Sequence, residues 1–195
     1  MTRVECAARR RRRPEIPAVW NLESRARGPV AVRRRAEVDE SRRAVSLPAS
    51  VLSELYEHAR VTAPEECCGL VVGTDRQPYR RAVRCRNVMT LMHSRAPEQW
   101  PWDNRRGFYM DPTDYQPWVK GESADGERVT AVYHSHVGAA CYLSSVDLDL
   151  VDLSQFPHAE QIVISVGEEQ LAAGIFHREG IGHPFVGHPV VVAAP

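Results

Sequence analysis

The side chains best suited to chemistry lie in one short stretch of the chain. His134 and His136 are separated by one residue at the end of the apolar run 129–133, and Asp147 follows eleven residues after the second histidine. On a β-strand, residues i and i+2 point to the same face, so both imidazoles can reach one point in space. Two histidines, one carboxylate and a position left for water are typical of a catalytic zinc site, whereas structural zinc prefers four protein ligands.

Each part of this pattern also has an ordinary structural explanation. A single histidine is more often a surface or core residue than a metal ligand, and Ser144-x-x-Asp147 taken alone is a common helix capping box. The combination is more informative, because His-x-His, seven further residues and Ser-x-x-Asp form a long spacing that random sequence rarely produces.

The whole pattern, from His134-Ser135-His136 to Ser144-x-x-Asp147, resembles the JAMM motif of the MPN-plus zinc metalloproteases, which include the deubiquitinase-type isopeptidases. Upstream, the segment 64–73 (Pro-Glu-Glu-Cys-Cys-Gly-Leu-Val-Val-Gly) resembles the bacterial Pro-x-Glu-x-Cys-Gly form of the family's second motif. The likeness extends over roughly 46–177. One departure is Leu143, which stands where the family commonly has proline.

This resemblance implies a role for each residue of the two motifs. It implies that the zinc ligands are His134, His136 and Asp147. It further implies that Glu66 is the general acid/base toward the attacking water and that Ser144 stabilises the oxyanion. The ligand types alone would also accept Mn, Fe or Co, so the choice of zinc follows from the resemblance.

The resemblance also implies a fold and a substrate class. The fold is a single mixed α/β (α+β) MPN domain, cytidine-deaminase-like, with a central mixed β-sheet flanked by helices. The compact chain is similar to the bacterial branch of the family, which hydrolyses the bond after the C-terminal Gly-Gly of ubiquitin-like sulfur-carrier proteins of the thiamine or molybdopterin type. Release of cysteine, trimming of a carrier tail and cleavage of a lysine conjugate all stay open.

A different class of function is a catalytically silent MPN scaffold that binds protein partners. Silent relatives have usually lost a ligand or the glutamate, and here the full set is present, which favours the hydrolase.

Periodicity in the sequence independently predicts interleaved helices and strands over 44–195. An amphipathic helix is expected after Pro48, a further helix from the Asp111-Pro112 cap and a short helix after Ser144. Strands are expected at 67–73, 81–89, 129–133, 161–166, 171–177 and 190–194. Residues 90–109 show no period; Trp100 and Trp102 there either form a wall of a substrate groove or pack the loop down.

Charge is distributed unevenly along the 195 residues, although Lys+Arg and Asp+Glu are equal at 25 each. Residues 1–43 hold 13 Arg and 6 acidic residues, while the rest has a net charge of −7. The Arg-rich segment 1–43 lacks apolar periodicity and is predicted to be a disordered tail. A nucleic-acid partner is disfavoured because the folded part is acidic.

The remaining cysteines and histidines are expected to be structural. No apolar run is long enough to cross a membrane, and five cysteines without a secretory signal favour a reducing cytoplasm. Cys67 and Cys68 are predicted core residues, and Cys141 is either a packed thiol, an extra ligand or a redox group. Three C-terminal histidines are not expected to bind metal: His177, His183 and His188.

Overall fold

The structure is a computed structural model that describes residues 34–121, 126–151, 154–168 and 170–194. Most of the predicted disordered tail, residues 1–33, lies outside the described residues.

Within these ranges the chain forms nine strands and four helices. In chain order they are β1 (Ala36–Glu37), β2 (Val45–Leu47), α1 (Ala49–Thr62), β3 (Cys68–Gly73), β4 (Arg81–Cys85), α2 (Met89–Arg95), α3 (Pro112–Val119), β5 (Arg128–Val137), β6 (Tyr142–Leu143), α4 (Ser145–Val151), β7 (Glu160–Val166), β8 (Leu171–His177) and β9 (Val186–Val192).

The seven-stranded sheet has the order β2-β9-β8-β7-β5-β3-β4, and β1 and β6 form a separate two-stranded sheet. The β5–β7 and β2–β9 pairs are parallel, and the other neighbours are antiparallel. The predicted mixed α/β architecture with a central mixed sheet is therefore confirmed. β5 lies in the interior of this sheet, between β3 and β7. Its backbone is hydrogen-bonded on both sides, which fixes the positions from which its side chains project.

Helix α1 covers one face of the sheet, as its sequence predicts. Its apolar residues recur every three or four positions, which places Val51, Leu55 and Ala59 on one buried face. They pack against Tyr133 of β5 and Ile162 of β7. Burial of each such large side chain contributes roughly 1.5–3 kcal/mol, so this face anchors the helix on the sheet.

Helix α3 lies against the opposite face. It begins as predicted, with the Asp111 carboxylate accepting a hydrogen bond of 2.9 Å from the Thr113 N–H and with Pro112 in the first turn. Its Tyr115 and Trp118 pack on the cluster formed by the alternate side chains of β3 and β5. His134 and His136 point to this second face, because they alternate with Tyr133 on β5.

The segment 81–109 differs from the sequence prediction. The strand expected at 81–89 ends at Cys85, and Met89–Arg95 forms the helix α2 in the region without periodicity. Met89 and Met92 are buried with Trp100, which packs the following loop down. Two buried residues on about two helical turns are too few to give a recognisable helical period.

The predicted tail boundary at residue 43 is wrong for its last ten residues. Ala36 pairs with Leu143 of β6 and is buried, and Val38 forms a bridge with Gly187. Ala36 and Val38 are isolated apolar residues, so they give no periodic pattern in the sequence. In the structure they pack in the cluster that contains Phe176.

Two further expectations concern membrane-spanning helices and the burial of Cys67 and Cys68. None of the described helices is long and apolar enough to cross a membrane. Cys67 and Cys68 are buried free thiols on opposite faces of the sheet, as predicted for core residues.

Candidate metal centre

The two histidines of β5 converge on one point. His134 lies opposite Cys68 of β3, and His136 lies opposite Ser165 of β7. Their Nε2 atoms are 3.3 Å apart. Both side chains are buried, with exposures of 1% for His134 and 8% for His136. The strand therefore holds two closely spaced nitrogens in the protein interior.

Asp147 completes a set of three donors from the first turn of α4. A reciprocal capping box fixes it: the Ser144 N–H donates to Asp147 Oδ2 at 2.8 Å, and the Asp147 N–H donates to Ser144 Oγ at 3.2 Å. The same Oδ2 lies 3.7 Å from His134 Nε2. One donor atom from each of His134, His136 and Asp147 lies within 4.8 Å of the other two.

Both imidazoles have a nitrogen lone pair suited to a metal. His136 Nδ1 is 3.2 Å from the Ala140 carbonyl oxygen. Because a carbonyl only accepts, Nδ1 carries the proton and Nε2 keeps its lone pair. Complete burial lowers the pKa of His134 to about 4 and outweighs the opposing charge of Asp147, so this imidazole is neutral at neutral pH.

The spacing of the two imidazole nitrogens fits zinc. Tetrahedral zinc with Zn–N bonds of about 2.0–2.1 Å separates two ligand nitrogens by about 3.3–3.4 Å. The observed 3.3 Å between the two Nε2 atoms agrees with this value. His134 Nδ1 is a buried atom with no hydrogen-bond partner among the described residues, and the ring is held instead by stacking on Phe108 at 4.5 Å between centroids. Two imidazoles and a carboxylate are therefore grouped as donors for a divalent cation.

Glu66 is a buried carboxyl group in the same cavity. It is 7% exposed, and desolvation, followed by repulsion from Asp147, raises its pKa to about 8. Its backbone is held on both sides: the N–H donates to the Asn104 carbonyl at 2.7 Å, and the carbonyl accepts from Asn87 Nδ2 at 3.0 Å. A carboxyl group with a pKa near neutrality is suited to taking up and releasing a proton.

A cavity of about 390 Å³ brings these groups together. Glu66, His136, Ser144 and Asp147 line it, and Trp102 forms part of its wall. Ser144 accepts from the Asp147 N–H, which leaves its own hydroxyl proton available as a donor toward a bound group. Each of the two alternatives predicted for the loop tryptophans therefore holds for one of them. Trp102 lines the cavity, whereas Trp100 is a buried core residue.

Residues 48–173 match the family described as prokaryotic homologs of the JAB domain, Prok-JAB. The chain belongs to this family. The match spans both motifs and strands β3 to β7, and it confirms the predicted MPN-type domain. The match to Prok-JAB begins at residue 48, directly after β2. The segment 34–47, which contains β1 and β2, therefore precedes the matched region.

Two solved structures are similar to this Prok-JAB protein. Protein DSY2949 from Desulfitobacterium hafniense has 20% identity and a TM-score of 0.55, with 77% of this chain and 93% of that chain covered. AF2198 from Archaeoglobus fulgidus, titled a JAB1/MPN domain protein, has 14% identity and a TM-score of 0.41, with coverage of 76% and 98%. The first of these supports the fold. No curated protein sequence matches the chain.

The structure brings all five predicted site residues of the Prok-JAB domain to one place, and it keeps the other candidates apart. Cys141 is not among the grouped donors of the described residues and packs near Gly174. His177 and His188 pair with each other at 4.8 Å between ring centroids, and His183 lies near Glu179.

Several residues around the site carry no signal in the sequence. Asn87 and Asn104 hold the backbone at Glu66, Phe108 stacks on His134, and the Tyr142 ring lies 4.7 Å from the His136 ring. They act through contacts between residues distant in sequence, which spacing within a motif does not reveal.

Proposed function

We propose that this Prok-JAB protein is a zinc metallopeptidase that hydrolyses the bond after the C-terminal Gly-Gly of a ubiquitin-like sulfur-carrier protein. The observation that carries the proposal is the convergence of His134, His136 and Asp147, the last two of which line one cavity with a buried carboxyl group and a serine hydroxyl. The carrier as substrate is supported by the resemblance of segment 64–73 to the bacterial branch of the family.

The three grouped side chains would hold the cation. His134 and His136 would supply imidazole nitrogens, and Asp147 would supply a carboxylate oxygen that the Ser144 N–H orients. When bound, zinc would polarise the scissile carbonyl and lower the pKa of the attacking water to about 7.

Glu66 would carry the proton between water and the leaving amine. Its ionised carboxylate takes a proton from the attacking water as the C–O bond forms, and its protonated form delivers that proton to the amine nitrogen as the C–N bond breaks. Burial and the charge of Asp147 both raise the pKa of Glu66, and a cation among the ligands opposes the second cause. The pKa of the carboxyl group therefore stays close to the range in which it can both accept and release a proton.

Ser144 would stabilise the transition state. Its hydroxyl lines the cavity and accepts from the Asp147 N–H, so its proton can be donated to the carbonyl oxygen as negative charge develops there. Loss of one such donor typically costs about 2.7–4 kcal/mol of transition-state stabilisation.

The shape of the cavity supports a glycine-ended substrate. Its walls near the ligands include the rings of Trp102, Phe108 and Tyr142, which limit the width available to a peptide. An extended Gly-Gly segment has no side chains and passes where bulkier residues cannot. The free thiols of the structure also suit a reducing cytoplasm, where we place the protein.

Mass spectrometry of a sulfur carrier tests the function. The zinc-loaded protein is incubated with a carrier that carries an extra residue after Gly-Gly, and the carrier mass is followed. A mass loss ending at Gly-Gly is the expected result. A carrier that keeps its mass while forming a stable complex with the protein would instead establish the silent scaffold.

A further inference from the structure

Arg106 lies on a turn whose backbone is fixed beside Glu66. The Glu66 N–H donates to the Asn104 carbonyl at 2.7 Å, and the Asn87 amide donates to the carbonyls of Glu66 and Gly107, both at 3.0 Å. Arg106 stands between Asn104 and Gly107, so these bonds set its position along the cavity wall. It lines the same cavity as Glu66, the residue that would protonate a leaving amine.

The charge of Arg106 is not neutralised by the described part of the protein. No carboxylate in the described ranges lies within ion-pair distance of its guanidinium, although it lines the cavity together with Glu66 and Asp147. Arg35, the other arginine of this cavity, lies over the Tyr142 ring at 4.3 Å. Arg106 is thus a cation at the catalytic cavity with room for an anionic partner.

We propose that Arg106 binds the free α-carboxylate of a single amino acid that leaves after Gly-Gly. In such a substrate the carboxyl carbon is two bonds from the scissile nitrogen, which Glu66 protonates, so both groups lie on the Glu66 side of the cavity. A planar guanidinium pairs with a carboxylate through two parallel hydrogen bonds. The proposal rests on the proposed function and narrows it to one substrate class.

The reaction is then a carboxypeptidase-type hydrolysis. Water adds to the carbonyl of the second glycine, the C–N bond breaks, and the products are a carrier ending in Gly-Gly and one free amino acid. A lysine conjugate presents its side-chain amine, and no carboxylate lies near that nitrogen. The arginine therefore selects adducts of free amino acids over lysine isopeptides.

A pair of matched peptides tests this selection with the full-length zinc-loaded protein. One ends in Gly-Gly-Ala with a free carboxylate, and the other is its C-terminal amide. Arg106 is exposed at the edge of the cavity, and solvent-screened ion pairs contribute up to about 1 kcal/mol, so kcat/KM is expected to favour the free acid by up to about fivefold. In Arg106→Gln the ratio is expected to fall to about one.

Arg105→Gln is the matched control, because both arginines are exposed and only Arg106 lines the cavity. It should keep the preference of the unmodified protein. Equal kcat/KM for acid and amide in the unmodified protein would overturn the proposal. So would an Arg106→Gln variant that loses activity equally on both peptides.

Binding separates this proposal from the proposed function. The two peptides are titrated calorimetrically into zinc-loaded Glu66→Gln, with and without Arg106→Gln. Tighter binding of the acid that disappears with Arg106→Gln supports the carboxylate site even if no peptide is hydrolysed, in which case the proposed hydrolysis alone is wrong. Cleavage without any preference leaves the hydrolase standing and removes the role of Arg106.

Discussion

Ser135 connects the histidine pair directly to the residue after Glu66. Its hydroxyl accepts a hydrogen bond of 2.8 Å from the Cys67 N–H, and its own N–H donates to the Cys67 carbonyl at 3.1 Å. Because Ser135 lies between the two histidines on β5, these bonds fix the metal ligands and the acid in one register. The middle residue of His-x-His is therefore part of the site, although its side chain points away from the ligands.

Ser135→Ala should destabilise the fold. The substitution leaves the buried Cys67 N–H without its side-chain acceptor, which costs about 1–3 kcal/mol. Urea unfolding measures the change in the free energy of unfolding. Ser53→Ala on the exposed face of α1 is the control and should stay within about 0.5 kcal/mol of the unmodified protein. If the free energy of unfolding of Ser135→Ala is equally close to that of the unmodified protein, the hydrogen bond between Ser135 and Cys67 contributes nothing to stability.

Asn87→Ala should lower kcat while zinc content is retained. The side-chain amide donates to the carbonyls of Glu66 and Gly107, and its oxygen accepts from the Met89 and Tyr109 N–H groups at 3.0 and 3.1 Å. Without it the backbone at Glu66 is free to shift, and misplacement of a general acid/base by about 1 Å can cost on the order of a hundredfold in rate.

The pH–rate profile distinguishes this positioning role of Asn87 from simple destabilisation. Greater solvent access to Glu66 should move the corresponding pKa toward its ordinary value in Asn87→Ala. Asn87→Asp keeps the acceptor oxygen but removes both N–H donors, so it should resemble alanine in kcat. An unchanged profile and kcat in both variants would contradict the assignment.

Glu66 should make the metal-free protein less stable as the pH rises. The pKa is about 8 in the folded protein against an ordinary value of 4.5. Between these values the folded state binds the extra proton, so the free energy of unfolding falls with rising pH, by at most about 1.4 kcal/mol per pH unit, and levels off above the folded pKa.

Glu66→Gln removes this pH dependence, since glutamine does not titrate. In chelator-treated samples, its stability relative to the unmodified protein should therefore increase from about pH 5 to about pH 8. Denaturant unfolding at several pH values measures the difference. A difference that stays constant across this range would mean that the carboxyl group ionises normally in the folded protein.

The elements that the sequence predicts best are those with a regular buried face. The spacing of Val51, Leu55 and Ala59 defines α1, and the Asp111-Pro112 cap defines the start of α3. Strands β1 and β2 have two and three residues, which is too short for a period to emerge. They form because partners far along the chain, on β6 and β9, supply the hydrogen bonds.

The same distinction applies to the site. His134, His136, Ser144 and Asp147 lie within one stretch of chain, so their spacing predicts that they meet. Asn87 holds the backbone at Glu66, and Arg106 lines the cavity only once that backbone is folded, so no local pattern marks either residue. Tertiary contacts of this kind become visible only when the 87–109 segment is placed against the cavity.

Zinc content and carrier cleavage are best measured together, for the unmodified protein, Glu66→Gln and His136→Ala, to test whether this protein is a zinc peptidase. The unmodified protein should hold about one zinc per chain and cleave the carrier after Gly-Gly. Glu66→Gln should keep the zinc and lose cleavage by about a hundredfold or more, because only the proton carrier is removed. His136→Ala should lose both, since a ligand is gone. Cleavage at the unmodified rate in either variant, or an unmodified protein that binds no zinc, would contradict the account.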